Sequence, residues 1–257
     1  MRTARGSPSV IVLNKYRKCG MFQRFKKLFS SSVAEAESRN HEEAEQLKSW
    51  AEAQGYELQL RLRPGPGKIP VLGFSIDSQT EGKPWRLECG APTRDFIKGE
   101  ELLFRGELGV LDSVSVVVMS RPLKMQLEKR AYQIYTDSLQ TTLDPKLPEE
   151  MRWIAMYQEA GWAGLPDAFW DRYAVMSGQR EHAQSWLTPA LVECLLQWPL
   201  GGPTAEIPFT LMMLRGKCYL RMQHSDRDAM TVKHATKIFK VACQSALENV
   251  AQNLQGR

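Results

Sequence analysis

Two hydrophobic periods divide this chain, and they alternate along its length. From residue 56 the period is two: Tyr56, Leu58, Leu60 and Leu62 alternate with Glu57, Gln59, Arg61 and Arg63. Such alternation predicts a strand with one buried face. Pro64-Gly65-Pro66-Gly67 ends it. Leu72, Phe74 and Ile76 then alternate with Gly73, Ser75 and Asp77, and Gln79-Thr80-Glu81-Gly82 reads as a turn. Trp85, Leu87 and Cys89 alternate with Arg86 and Glu88, and Leu102, Phe104 and Leu108 with Leu103, Arg105 and Glu107. Val114 to Met119 is apolar on both faces, which predicts a central strand.

Helical spacing brackets this run of strands. His41 to Gln54 crowds acids into its first turn, repeats Ala44, Leu47, Trp50 and Ala51, and stops at Gly55. After Pro122, a good first helical residue, Leu123, Leu127, Ala131 and Ile134 form a stripe. Asp144 to Pro148 reads as a stiff connector. Beyond it, Met151 to Tyr157 is apolar and fits either strand or helix, with strand the preferred reading. Asp167 to Met176 and Ala183 to Trp198 read as helices, the second starting near Pro189. Phe209 to Leu214 and Cys218 to Gln223 flank Arg215-Gly216-Lys217 as a hairpin. Asp226 or Asp228 would cap a last helix whose stripe is Ile238, Ala242, Ala246, Val250 and Leu254.

These elements predict an α+β fold. Antiparallel sheet segments are covered by helices in two layers, as two closely linked halves. The expected organisation is a basic, disordered N-terminal segment and linker over 1–39, with Ser30 to Asn40 as the linker. One α+β half then covers 40–143, and another, with the hairpin and a long C-terminal helix, covers 144–257. No internal sequence repeat accompanies this.

Charge changes the picture only at the N-terminus. The 257 residues carry 43% hydrophobic and 25% charged residues, ordinary globular values, and a net charge of +5. Residues 1 to 32 hold eight cations and no acid. Set against the whole-chain +5, that leaves −3 on the rest. A duplex-binding domain presents a basic stripe on its fold, so nucleic acid is not the expected partner of the body. The basic segment has structure of its own: Met21, Phe22, Phe25, Leu28 and Phe29 fall within about a third of a helical wheel. Arg24, Lys26 and Lys27 punctuate them without an acid. The segment resembles a short membrane-surface helix. Phe22, Arg24, Phe25, Lys26, Lys27 and Phe29 are therefore the expected contacts with an anionic membrane. Residues 1 to 20 resemble neither a signal peptide nor a domain. A translation start at Met21 would remove five cations and bring the net charge to 0.

Candidate chemistry is sparse. Cys19, Cys89, Cys194, Cys218 and Cys243 are widely spaced and odd in number, which suits buried reduced thiols in a reducing cytosol. His41, His182, His224 and His234 lack ligand spacing and are expected on the surface. Gly65-Pro66-Gly67-Lys68 lacks the Ser/Thr of a phosphate loop. No catalytic residue, metal ligand or cofactor is predicted. An aromatic stretch, Trp153 to Tyr173, has Trp162 in an exposed Gly-rich loop. Filling of the core by large aromatics is the first reading of this stretch; if it instead meets a ligand or partner, Trp162, Trp170, Asp167 and Arg172 are the expected contacts. The charged sheet face, Arg61, Arg86, Glu88, Arg105 and Glu107 with Arg94 and Asp95 nearby, reads as a solvated face, with anion binding as its other reading. The expected function is that of a non-enzymatic interaction or accessory protein. It would be cytoplasmic, with an unknown protein partner, peripheral at the inner face of the membrane through residues 21–29. The alternative is a small-molecule-binding protein or enzyme with a pocket near 151–176.

Overall fold

The computed structural model describes the backbone of residues 18–64, 70–110, 112–138, 149–199, 202–203, 207–224 and 229–250. Residues 65–69, the expected connector Asp144 to Pro148, the expected caps Asp226 and Asp228, and Leu254 lie outside the described residues, as does the Ile134 side chain.

The fold is α+β: among the described residues, nine strands form one antiparallel sheet and seven helices cover it. The alternating segments become β1 (Glu57–Pro64), β2 (Pro70–Thr80), β3 (Lys83–Gly90) and β4 (Glu100–Glu107), and the segment apolar on both faces becomes β5 (Ser115–Ser120). β6 (Glu159–Ala160) and β7 (Tyr173–Ser177) follow, then the hairpin of β8 (Phe209–Leu214) and β9 (Lys217–His224). The helices are α1 (Lys18–Gln54), α2 (Arg121–Ser138), α3 (Glu149–Met156), α4 (Asp167–Arg172), α5 (Arg180–Trp186), α6 (Pro189–Leu196) and α7 (Ala229–Ser245). A π-helical turn over Ala246–Val250 extends α7.

Strand order is β1-β2-β3-β4-β9-β8-β5-β7-β6. The β8–β9 hairpin thus inserts between β4 and β5, and the sheet runs continuously through residues of both sequence halves. β9 pairs with β4 from Glu100↔His224 to Glu107↔Lys217, and β8 pairs with β5 from Ser115↔Leu214 to Met119↔Thr210. The turn joining β8 to β9 makes the arrangement possible. Arg215 and Gly216 both have positive φ, 51° and 72°, the geometry that matches the twist of a two-residue hairpin.

One face of the sheet carries the main core. Leu87, Leu102, Phe104, Leu211 and Leu220 meet α1, α5, α6 and α7 there, through side chains such as Leu47, Trp186, Leu191 and Phe239. Each fully buried large side chain contributes about 1.5–3 kcal/mol. On the opposite face the two ends of the sheet differ. Over β1 to β4 that face carries charged residues, the two-layer arrangement the alternation implies. Toward β5, β7 and β8, Val117, Met119, Met176 and Met212 pack instead against Leu123, Leu127, Met151 and Trp153 of α2 and α3. β5, covered on both sides, is accordingly apolar on both faces.

Four segments differ from the sequence expectation. Ser30 to Asn40, read as a linker, is helical, because α1 runs unbroken from Lys18 to Gln54. Met151 to Tyr157, read as a strand, lies mostly in α3, whose Met151 and Trp153 close the second core. Asp167 to Met176, read as one helix, is α4 followed by β7, and every β7 residue is buried. Short, largely apolar runs look alike in helix and strand, so contacts decide them. Ala183 to Trp198 breaks at Leu187–Thr188. Pro189 opens α6 and the Thr188 side chain accepts from the Leu191 N–H, a standard cap.

Candidate functional site

Charged groups collect where β1 and β9 end and β4 begins. Glu100 and Glu101 open β4 and are both buried. Arg63 reaches Glu100 of β4 from β1, past the two intervening strands. It can do so because Gly73 has no side chain: a Cβ there would come within 3.1 Å of Arg63 Nε. An isolated glycine in a strand marks such close approach. Glu101 accepts from the Thr93 N–H at 2.6 Å and from Thr93 Oγ1 at 3.0 Å, and pairs with Arg221 Nη1 at 2.8 Å. Arg221 Nη1 also donates to Thr93 Oγ1 at 2.6 Å.

The neighbouring loop ties this cluster to the helices beside it. Arg94 Nε donates to Glu150 of α3 at 2.5 Å, and Asp95 pairs with Arg130 of α2. On the other face, His224 Nε2 lies 3.0 Å from Glu43 Oε1 of α1. These two groups are only 3% and 5% exposed. The surface position expected for the histidines is therefore wrong for His224, which fastens α1 to the end of β9. Replacing one member of such a buried pair leaves the other without its hydrogen bond, at about 1–3 kcal/mol.

A cavity of about 240 Å³ lies on the charged face, lined by Arg61, Arg63, Ser75, Arg86, Thr93 and Glu101 among others. Its acids are matched by cations. Arg86 Nε is 2.9 Å from Glu88 Oε1 and its Nη1 is 3.0 Å from Asp77 Oδ2; the Glu88 hydrogen bond first, then Asp77, raise the Arg86 pKa. Across the same face Lys217 and Arg105 hold the Glu107 carboxyl below its ordinary value. Among the described residues Arg61 pairs with no acid; its Nη2 donates to Gln59 Oε1 at 3.3 Å. Ser75 is 6% exposed, and its hydroxyl has no protein partner among the described residues. The lining is rich in donors and electrically near neutral, so it presents polarity without a strong field. Among the described residues, no group of three or more His, Cys, Asp or Glu is placed to hold a metal ion.

A second cavity, about 430 Å³, lies between α1 and β1 and is more apolar. Ala44, Leu60, Leu62 and Leu72 line it, with Glu37 and His41 at its rim. Leu62 is 69% exposed there.

The aromatic stretch is placed differently. Trp162 and Trp170 meet edge to face at 5.1 Å, and Trp170 continues to Phe169 at 5.2 Å. Both tryptophans are half-buried against the main core. Asp167 and Arg172 sit at the two ends of α4, both exposed. Arg172 Nη1 donates to the Leu196 carbonyl at 3.0 Å, at the end of α6, where a cation satisfies an orphan acceptor. The structure thus joins Trp162 to Trp170, and neither of the two cavities above is lined by residues of 151–176. Of the predicted membrane contacts, Phe22, Arg24, Phe25, Lys26, Lys27 and Phe29 all lie on α1, and their side chains are outside the described residues.

Arg63, Ser75, Thr93, Glu100, Glu101, Arg221 and the Glu43–His224 pair were not legible as a site. One signal pointed to them: Gly73 standing alone between Leu72 and Phe74 in a strand pattern. No helix among the described residues is long and apolar enough to cross a membrane.

No family model matches the chain, and no curated protein does. Among solved structures, the chain is similar to the crystal structure of the mycobacterial trehalose monomycolate transport factor A, TtfA. The identity is 10%, the TM-score 0.42, and the match covers 79% of this chain and 94% of that one.

Proposed function

We propose that this chain is a non-enzymatic accessory protein, held peripherally on an anionic, cytoplasmic membrane surface by residues 21–29 and acting through a protein partner. The observation that carries the reading is the continuity of α1. Its 37 residues form one helix, roughly 55 Å long at 1.5 Å per residue. The C-terminal half is fixed to the body by Ala44, Leu47 and Ala51, all buried, and by Glu43 on His224. The N-terminal half carries Arg24, Lys26 and Lys27 beside five large apolar residues. A membrane contact there would be transmitted rigidly to the sheet. Three cations near an anionic surface contribute about 3 kcal/mol, roughly a hundredfold in binding.

Flotation of the full chain with vesicles tests this. Wild type is expected to float with vesicles containing about one-third anionic lipid and not with zwitterionic ones. The R24E/K26E/K27E variant is expected to lose that binding, because three attractions become three repulsions. Equal flotation of wild type and variant, or no lipid preference, defeats the membrane reading.

A further inference from the structure

We propose that the free edge of β1 is the interface of a two-fold homodimer, in which a second copy of this chain adds its own β1 antiparallel to the first. β1 is the terminal strand of the sheet and, among the described residues, pairs on one side only, with β2. Its eight residues are long for an unprotected edge, a feature that natural sheets cover or blunt. Its charges, Glu57, Arg61 and Arg63, all lie on one face, so they do not block the edge itself.

The strand is self-complementary in a register that leaves the Arg63–Glu100 contact in place. A two-fold axis through Gln59, normal to the sheet, sets Glu57 opposite Arg61 and Leu58 opposite Leu60. It also sets Tyr56 opposite Leu62, and each pairing occurs twice. All apolar members stay on the α1 side and all polar members on the other, because the strand's side-chain period is two. The register also supplies what two residues lack. Arg61 has no acid partner among the described residues, and Leu62 is 69% exposed. The register shifted by two residues, with its axis through Leu60, would put Glu57 against Arg63, which already serves Glu100.

The groove between α1 and β1 fits the same arrangement. Leu60 and Leu62 open it toward the edge. In the dimer, Leu58 and Tyr56 of the second copy stand opposite them and close it. The interface is isologous and closes after two copies. It rests on β1 and its groove alone, and stands whether or not α1 meets a membrane.

Sedimentation velocity of the full chain between about 1 and 100 μM tests the proposal, with single and double charge reversals. Wild type is expected to dimerise. Glu57→Arg and Arg61→Glu each turn both symmetric ion pairs into like-charge pairs, and each is expected to raise the dimer dissociation constant about tenfold or more. The E57R/R61E double variant restores opposite charges and is expected to return within about threefold of wild type. Both residues are exposed, so unchanged melting of the monomer serves as the folding control. A monomer throughout the range, a dimer indifferent to the single reversals, or a double variant as weak as the singles overturns the proposal.

Discussion

Replacing Gly216 with alanine should cost far more than the same change at Gly82, although the two glycines occupy matching turns. Each is the second residue of a two-residue hairpin, after a residue of positive φ: Arg215 (51°) then Gly216 (72°), Glu81 (49°) then Gly82 (74°). Left-handed backbone costs an alanine about 1 kcal/mol at either site. The surroundings then differ. A Cβ at Gly82 meets nothing within 4 Å, whereas one at Gly216 lies 2.9 Å from the Val110 carbonyl oxygen and 3.2 Å from Asp112 Oδ1. Relief requires the turn to move away from the chain leaving β4. That movement strains two hydrogen bonds to the Gly216 carbonyl, from the Leu108 N–H at 2.9 Å and the Gly109 N–H at 3.0 Å. Each is worth about 0.5–1.5 kcal/mol, which puts Gly216→Ala at about 2–4 kcal/mol and Gly82→Ala at about 1 kcal/mol. For a chain of this size these losses correspond to roughly 4–16 °C against 2–4 °C in melting temperature. Urea unfolding at 25 °C followed by tryptophan fluorescence, with calorimetry, measures both. Equal losses for the two variants would refute the claim that this turn is wedged against the β4–β5 connection at the middle of the sheet.

Two further predictions concern titratable groups that burial perturbs. Burial lowers the pKa of His234, against the opposing pull of its Nε2 contact with the Cys194 carbonyl at 2.9 Å. Folded, it binds fewer protons than unfolded, so stability is expected to fall as pH drops below the ordinary histidine value of 6.5. His234→Gln should lose less stability than wild type between about pH 7.5 and 5; parallel profiles would assign the acid sensitivity elsewhere. Cys89, Cys194, Cys218 and Cys243 are all buried, and burial raises the thiol pKa of Cys194 and, with the Cys243 hydrogen bond, raises that of Cys218 strongly. A disulfide reagent with peptide mapping should modify Cys194 and Cys218 at least about tenfold more slowly in the native chain than in urea. Native rates as fast as denatured ones would place these thiols at an accessible surface.

Much of the fold is legible because its signals are local. The alternation from Tyr56 to Arg63 requires only that one strand face be dry, and the turn residues Glu81-Gly82 and Arg215-Gly216 require only positive φ. The charged face of β1 to β4 follows from the same pattern: Arg86 and Glu88, two residues apart, must share a side. The stripe Ile238, Ala242, Ala246 and Val250 is likewise a property of one helix, and all four residues are buried.

What the chain alone determined was therefore the identity and polarity of most elements, and the placement of its dense basic cluster ahead of a slightly acidic body. Tertiary structure decided the rest. Strand order depends on pairings such as Glu100↔His224, between residues more than a hundred positions apart, which no local period encodes. Met151 to Tyr157 and Tyr173 to Ser177 are short apolar runs whose form was settled by what they pack against. The Arg63–Glu100 and Glu43–His224 contacts exist because Gly73 leaves a path across the sheet and α1 runs over the end of β9. A buried charge is recognisable only from the partner that compensates its lost water, and that partner is brought by the fold.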